Sequence, residues 1–236
     1  IGINFFDIKI SRTGFDFLNN LLENSIFMTF FVILCFLFII NGANLIDGFN
    51  GLVIIHLIII NSVLLFLNLN NGFDNFDLFL TGQLFVMFCF LLFNFPEAKM
   101  FLGDGGAYFL GLTTALNTIN TSIVHPDISP IYFIILLFYL FFEVFFSFIR
   151  KIKLKQSPLK PDSKHLHMLL YKYLKKKKFK SSNPITAISI NLTYFLLIFP
   201  MTIFYENNIL CKIWFIFLIC AYLFFYYFLN KVTKKN

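Results

Sequence analysis

The chain has 236 residues and a formal net charge of +7, with 58% hydrophobic and only 13% charged residues. A soluble globular chain carries about a quarter charged residues. Here the apolar residues, 37 Phe among them, fall in blocks near the ~20 residues that a bilayer-crossing helix needs. An ordinary soluble domain is excluded, and no nucleic-acid partner is expected.

In chain order, the opening stretch begins with Ile1 and reads as a loop already in progress, with no signal-peptide pattern. Seven spanning helices are predicted, near 25–41, 52–69, 78–93, 106–121, 131–149, 185–204 and 211–230. The expected fold is all-α: a polytopic transmembrane helix bundle forming one integral-membrane domain over 1–236, with a cytoplasmic amphipathic helix inside the basic loop 150–184. Cys35, Cys89, Cys211 and Cys220 lie in or beside apolar blocks without metal-ligand spacing and read as packing residues.

Between the first two spans lies "NGANLIDGFNGL", residues 41–52. Asn41, Asn44 and Asp47 are three apart and share a face if the helix continues. Asp47 is a hard oxygen ligand or a base. Asn44 offers a carbonyl oxygen to a cation or amide donors to phosphate. Gly42, Gly48 and Gly51 allow close backbone approach to a ligand. The competing reading is a tight polar turn, built from the residues turns favour.

After the third span comes "NFPEAKMFLGDGGAYFLG", residues 94–111. Asp104 is flanked by Gly103, Gly105 and Gly106 at a helix start. Free N–H groups there suit an anion, and the aspartate suits Mg²⁺ held jointly with substrate phosphates. Lys99 adds a positive charge. The plain alternative is Asp104 as a helix cap. His56 reads as a packed histidine. Glu143 is the acid predicted within a span. A carboxylate there is a functional candidate by default; the plain alternative is a pair with Arg150, seven residues on and on the same helix face, that eases its burial.

The loop 150–184 holds Arg150 and eleven lysines. Asp162 or Ser163 is expected to cap a helix after Pro161. Leu166, Leu169, Leu170, Tyr173 and Leu174 form its apolar stripe, which predicts a basic helix lying on the membrane surface against anionic lipid headgroups. His165 and His167 fall in its first turn. Basic residues mark the cytoplasmic side. Alternation then places 16 of the 19 Lys and Arg inside, together with all three polar loops.

The three loops together resemble the polyprenyl-phosphate sugar-1-phosphate transferases, the glycosyltransferase family 4 membrane enzymes. "NGANLIDGFNGL" is similar to the family's N-x-x-N-x-x-D-G-x-D/N-G-L loop, "FLGDGGAYFLG" to F-x-G-D-x-G-S-x-x-L-G, and "SPLKPDSKHLHMLL" to S-P-x-x-x-D-x-x-H-x-H. The resemblance spans roughly residues 25 to 175. It implies transfer of a sugar-1-phosphate, an N-acetylated amino sugar by the family pattern, from a UDP-sugar to undecaprenyl phosphate, with release of UMP. Such products feed peptidoglycan, lipopolysaccharide O-antigen, enterobacterial common antigen and teichoic acids. The implied cofactor is Mg²⁺, with Mn²⁺ as a substitute. Asp104 would be the main metal ligand and Asn44 a second. Asp47 would be catalytic or near the nucleotide, and His165 and His167 would bind the sugar-side phosphate. Asn50, where many bacterial members carry Asp, would be a uridine-side contact. Asn41, Lys99 and Arg150 complete the candidate substrate-binding set. The implied location is the bacterial cytoplasmic membrane, and a homodimer is left open.

One departure stands against this. The family carries an upstream Asp-Asp pair, and this chain contains no Asp-Asp dipeptide. The expectation is a piece lacking roughly four leading helices, inactive alone. The rival readings are a non-catalytic relative and a small membrane transporter.

Overall fold

The computed structural model describes residues 10, 12–69, 75–158, 160 and 162–234. Asp7, Lys9, Asp74, Pro161 and Lys235, which entered the charge and cap readings, lie outside the described residues. Among these residues the chain forms helices and no strands. They are α1 (Asp16–Leu22), α2 (Ser25–Ile46), α3 (Leu52–Asn68), α4 (Asn75–Asn94), α5 (Gly103–Val124), α6 (Pro130–Leu136), α7 (Phe138–Lys153), α8 (Leu166–Lys176), α9 (Ser182–Ile198) and α10 (Asn208–Lys234). A 3-10 turn, Phe199–Thr202, extends α9.

Every predicted span is helical, but the helices are not seven equal crossings. Four are long and apolar enough to cross a membrane: Ser25–Ile46, Phe76–Asn94, Ser182–Thr202 and Asn208–Lys234. A fifth arises if α6 and α7, bent 75° at Leu137, count as one. The 17 residues of α3 reach only ~25 Å at 1.5 Å per residue, short of a ~30 Å hydrocarbon core. This helix is apolar because most of it is buried: Leu52, Ile54, Leu57, Ile60 and Leu64 are fully enclosed among α4, α5 and α9, while Phe66 on its remaining face is exposed. By contrast, α2, α4 and α10 present exposed side chains such as Ile26, Phe85, Leu92 and Phe224, as a lipid-facing surface requires.

Helix α5 is less apolar because one side of it is a polar seam. Asn61 Nδ2 donates to Thr114 Oγ1 at 2.9 Å. Asn117 Nδ2 donates to Asn61 Oδ1 at 2.7 Å and to Gln83 Oε1 at 2.8 Å. Gln83 Nε2 donates to Thr113 Oγ1 at 2.8 Å. These bonds tie α3, α4 and α5 together where water is absent, the situation in which interhelical amide contacts hold membrane bundles.

The α6–α7 bend has an identifiable cause. Tyr194 of α9 donates its hydroxyl to the Leu136 carbonyl. A side chain inserted into the helical ladder in this way breaks it.

The loops sort to two ends. At one, Arg12 donates to the Pro126 carbonyl and Ser129 N–H to Tyr205 O at 2.9 Å. At the other lie the α2–α3 turn, the α4–α5 loop and the segment from α7 through α8 to α9.

Candidate active site at one end of the bundle

The polar turn after α2 is shorter than predicted. The helix runs to Ile46 with Asp47 as its C-cap, so Asn41 and Asn44 are helical and the shared face is real. The turn 47–51 is then locked on three sides. Gly51, at φ 79°, starts α3, and a Cβ there would meet Phe95 Cδ2 at 2.7 Å. Its N–H donates to Asn94 Oδ1 at 2.7 Å, while Asn94 Nδ2 holds Met100 O at 2.8 Å. Asn50 receives Asn183 Oδ1 on its N–H at 2.9 Å and donates Nδ2 to Pro96 O at 2.7 Å. Phe49 is buried with its ring 5.7 Å from His167 and 5.1 Å from Tyr171. Neither Asn94 nor Asn183 was singled out in the sequence. Their only signal was position, each at an edge of a polar loop.

Gly42 does not approach a ligand. A Cβ there would collide with the Leu140 carbonyl of α7, so this glycine closes the α2–α7 crossing. Asn41 is exposed and turns its amide back to Leu37 O at 2.7 Å.

Asp104 sits in the first turn of α5. The N-cap is Leu102, with no side-chain bond, so the capping alternative does not hold. Asp104 is exposed and makes no hydrogen bond or ion pair among the described residues, and neither does Lys99. Gly103 and Gly105 have open space around them. Asp47 is half-buried. Burial first, and the Asp104 charge second, push its carboxyl up to about 6. The two carboxylates thus lie within range of each other's charge. No group of three His, Cys, Asp or Glu able to hold a metal occurs among the described residues. A cation here would therefore draw most of its oxygens from substrate phosphates and water. That is how Mg²⁺ is ordinarily bound, with one or two carboxylates, so the residues present fit it.

Beyond Phe49 lies the histidine cluster, and three expectations change there. Helix α8 starts at Leu166, with His165 as N-cap and no capping bond from its own segment. Asp162 instead accepts from Lys164 N–H at 2.8 Å in a local turn. The capping acceptor comes from another helix: Glu143 Oε1 takes the Leu166 N–H at 3.1 Å and His165 Nδ1 at 3.0 Å. Glu143 is therefore not paired with Arg150. Arg150 Nη2 bonds Asp162 Oδ2 at 2.9 Å and Ser147 Oγ at 3.1 Å. Its Nε and Nη1 are buried with no partner. Finally, the stripe of α8 is spent on protein: Leu169 and Leu174 are buried where the helix packs on α9 and α10.

His165 and His167 stack with ring centroids 5.6 Å apart and planes within 5°. His167 is fully buried; its Nδ1 lies 3.2 Å from Tyr139 Oη and its Nε2 has no partner. Burial holds its pKa down to about 4, with Glu143 opposing and His165 reinforcing the shift. Asp162 is partly buried, which works against ionisation, yet the Lys164 N–H and Arg150 keep its carboxyl below the usual range. His56 is packed as expected, with Nδ1 3.0 Å from Asn191 Oδ1.

Residues 1–122 match the family described as Glycosyl transferase family 4. The chain belongs to that family. Among curated relatives, it is 31% identical over 137 residues to an undecaprenyl-phosphate alpha-N-acetylglucosaminyl 1-phosphate transferase of Thermotoga maritima, covering 58% of this chain and 41% of the relative. It is 34% identical over 136 residues to a probable undecaprenyl-phosphate N-acetylglucosaminyl 1-phosphate transferase of Bacillus subtilis, covering 55% and 36%. A phospho-N-acetylmuramoyl-pentapeptide-transferase of Clostridium perfringens matches at 30% over 100 residues, covering 42% and 32%. The matched stretch thus spans about two fifths or less of these relatives' lengths. No solved structure matches. The family match takes in the Asp47 and Asp104 loops and ends before the histidine segment.

Proposed function

We propose that this protein transfers the sugar-1-phosphate of a UDP-activated N-acetylated amino sugar to undecaprenyl phosphate, releasing UMP, in bacterial envelope polysaccharide synthesis. The observation that carries the proposal is the convergence of three polar segments at one end of an apolar bundle. Asp104 is electrostatically coupled to Asp47, and Phe49, two residues on, packs against His167.

Phosphoryl transfer asks the protein for positioning and charge neutralisation more than for covalent chemistry. Asp104 and Asn44 would hold Mg²⁺, which when bound screens the charge of the diphosphate. Asp47, three residues after Asn44 and within reach of the Asp104 charge, would serve as base or nucleotide contact. Lys99 and the unpartnered edges of Arg150 and His167 would meet anionic oxygens. Asn50 has committed one amide to Pro96 and would offer its carbonyl oxygen to the uridine. Exposed Lys175, Lys177, Lys178 and Lys180 would face anionic headgroups, and their charge supports a cytoplasmic placement of this end.

The test is UMP release from UDP-N-acetylglucosamine and undecaprenyl phosphate, by membranes carrying the protein expressed from its complete reading frame. Release that requires Mg²⁺ and stops with chelator is expected. No release with any UDP-amino sugar tried would overturn the reading.

A further inference from the structure

Glu143 is 1% exposed and saturated with donors. His165 Nδ1 and the Leu166 N–H reach Oε1 at 3.0 and 3.1 Å, and Tyr222 Oη reaches Oε2 at 2.8 Å. The Leu166 N–H and the Tyr222 hydroxyl both donate to it, so Glu143 is taken as the ionised, acceptor-only carboxylate, which assigns the hydrogen in the histidine contact to Nδ1. The other ring nitrogen, Nε2, lies 3.6 Å from Asp162 Oδ1, beyond hydrogen-bond reach. It is the edge of His165 left for a ligand. One turn earlier on α7, Tyr139 Oη meets His167 Nδ1. Residues 139 and 143 of one helix thus take the Nδ1 edges of both stacked rings and leave both Nε2 edges unbonded.

We propose that Glu143 is a positioning residue of the reaction. It takes the Nδ1–H of the His165 imidazolium and fixes the ring's orientation, caps α8 across the helix boundary, and so presents the second N–H, at Nε2, to a phosphate oxygen of the substrate. The arrangement parallels a ligating histidine held by a carboxylate on its far nitrogen, where losing the carboxylate weakens function without removing the ligand. This rests on reading the site as a phosphoryl-transfer centre. It adds a buried residue that touches no substrate.

The experiment is a double-mutant cycle on UMP release with Glu143→Gln, His165→Gln and the pair, alongside ¹⁵N-imidazole spectra and unfolding midpoints in detergent. Glutamine keeps an acceptor but not the charge. E143Q should lower kcat on the order of tenfold or more, with KM changed less than threefold. In the H165Q background the same substitution should cost less than twofold, because its effect passes through the ring. The Nδ1 resonance of His165, assigned by its loss in H165Q, should shift in E143Q. Additive losses, an unchanged Nδ1 signal, or kcat within twofold of the unchanged protein would each overturn the proposal. Should E143Q fail to fold, Glu143→Asp, which keeps the charge but withdraws it by one methylene, must show the same Nδ1 shift and a kcat loss of fivefold or more. If the unchanged protein releases no UMP, the functional reading falls, while the spectra still decide whether Glu143 sets the state of His165.

Discussion

Two groups of polar residues lie at one end of this bundle and are built on opposite plans. Around Asp104 the side chains are left open: two carboxylates that feel each other's charge, glycines with free space beside them and a lysine that bonds nothing among the described residues. Around Glu143 nearly everything is closed. Each carboxylate has its donors, each histidine its neighbour, and the cluster is buried. Like charges left side by side cost stability, and a fold keeps them where a ligand will neutralise them. Saturated buried networks rigidify instead. The open region is thus suited to receive charge, and the closed region to hold rigid both the frame and the few ring and guanidinium edges it leaves unbonded.

The sharpest way to break this contrast is at its open side. Asp104→Asn should reduce UMP release by a hundredfold or more, about 3 kcal/mol of transition-state stabilisation. Its unfolding midpoint in detergent should hold steady or rise slightly, since Asp104 bonds nothing among the described residues and its charge disfavours ionised Asp47. A large fall in stability with activity retained would show that Asp104 is a structural residue and the region is not open at all.

The closed side should instead respond to pH. His167 has a pKa near 4 in the fold, against 6.5 when exposed. The unfolded chain therefore takes up the proton first, and stability present above pH 6.5 is lost as pH falls towards 4. The full loss at this residue is on the order of 3 kcal/mol. Unfolding midpoints recorded between pH 7.5 and 4.5 should decline, and His167→Asn should flatten the decline. An equal slope in the variant would mean that other groups carry the dependence.

How far the sequence foretold these two regions depends on what held each residue. Long apolar runs made the helices legible, because lipid leaves few alternatives. Polar residues at the end of α2 were read as a break, whereas the helix continues five residues further. Hydropathy tracks solvent, and the residues 42–46 are covered by other helices. The spacing of Asn41, Asn44 and Asp47 was read as one helical face, and α2 does carry Asn41 and Asn44 with Asp47 as its C-cap. Glu143 and Arg150 do share a helix, yet seven-residue spacing says nothing about acceptors on other segments. Those acceptors and donors, Asp162 for one and His165 for the other, decided the pairing. The Asn61–Asn117–Gln83 seam was invisible for the same reason: it exists only once three helices are packed.

Gly42 connects the two regions, which makes it the next place to sharpen the comparison. It lies one residue before Ala43 and two before Asn44, and its missing Cβ admits the Leu140 carbonyl, one turn from Glu143. Gly42→Ala forces α2 and α7 apart, and overpacking of this kind costs about 1 to 3 kcal/mol. Activity should fall with stability, because the helix carrying Asn44 moves relative to the helix carrying Glu143. A fully stable, fully active variant would show that the two regions do not share a frame.

The smallest expected effect is at Asn94, and it distinguishes a brace from a ligand. Its carbonyl oxygen takes the Gly51 N–H and its amide holds the Met100 carbonyl, so both polar ends are spent on the loops that carry Asp47 and Asp104. Asn94→Ala leaves a buried N–H unpaired, at a cost of about 1 to 2 kcal/mol. It also frees the 95–102 loop to drift. The KM for the UDP-sugar should rise with kcat changed less, since positioning is loosened while the carboxylates remain. Asn94→Asp keeps the acceptor for Gly51 and loses only the donor to Met100. It should recover part of the stability and part of the affinity. If instead the aspartate variant is the more damaged in KM, with stability intact, then Asn94 meets the nucleotide directly and belongs with the open group.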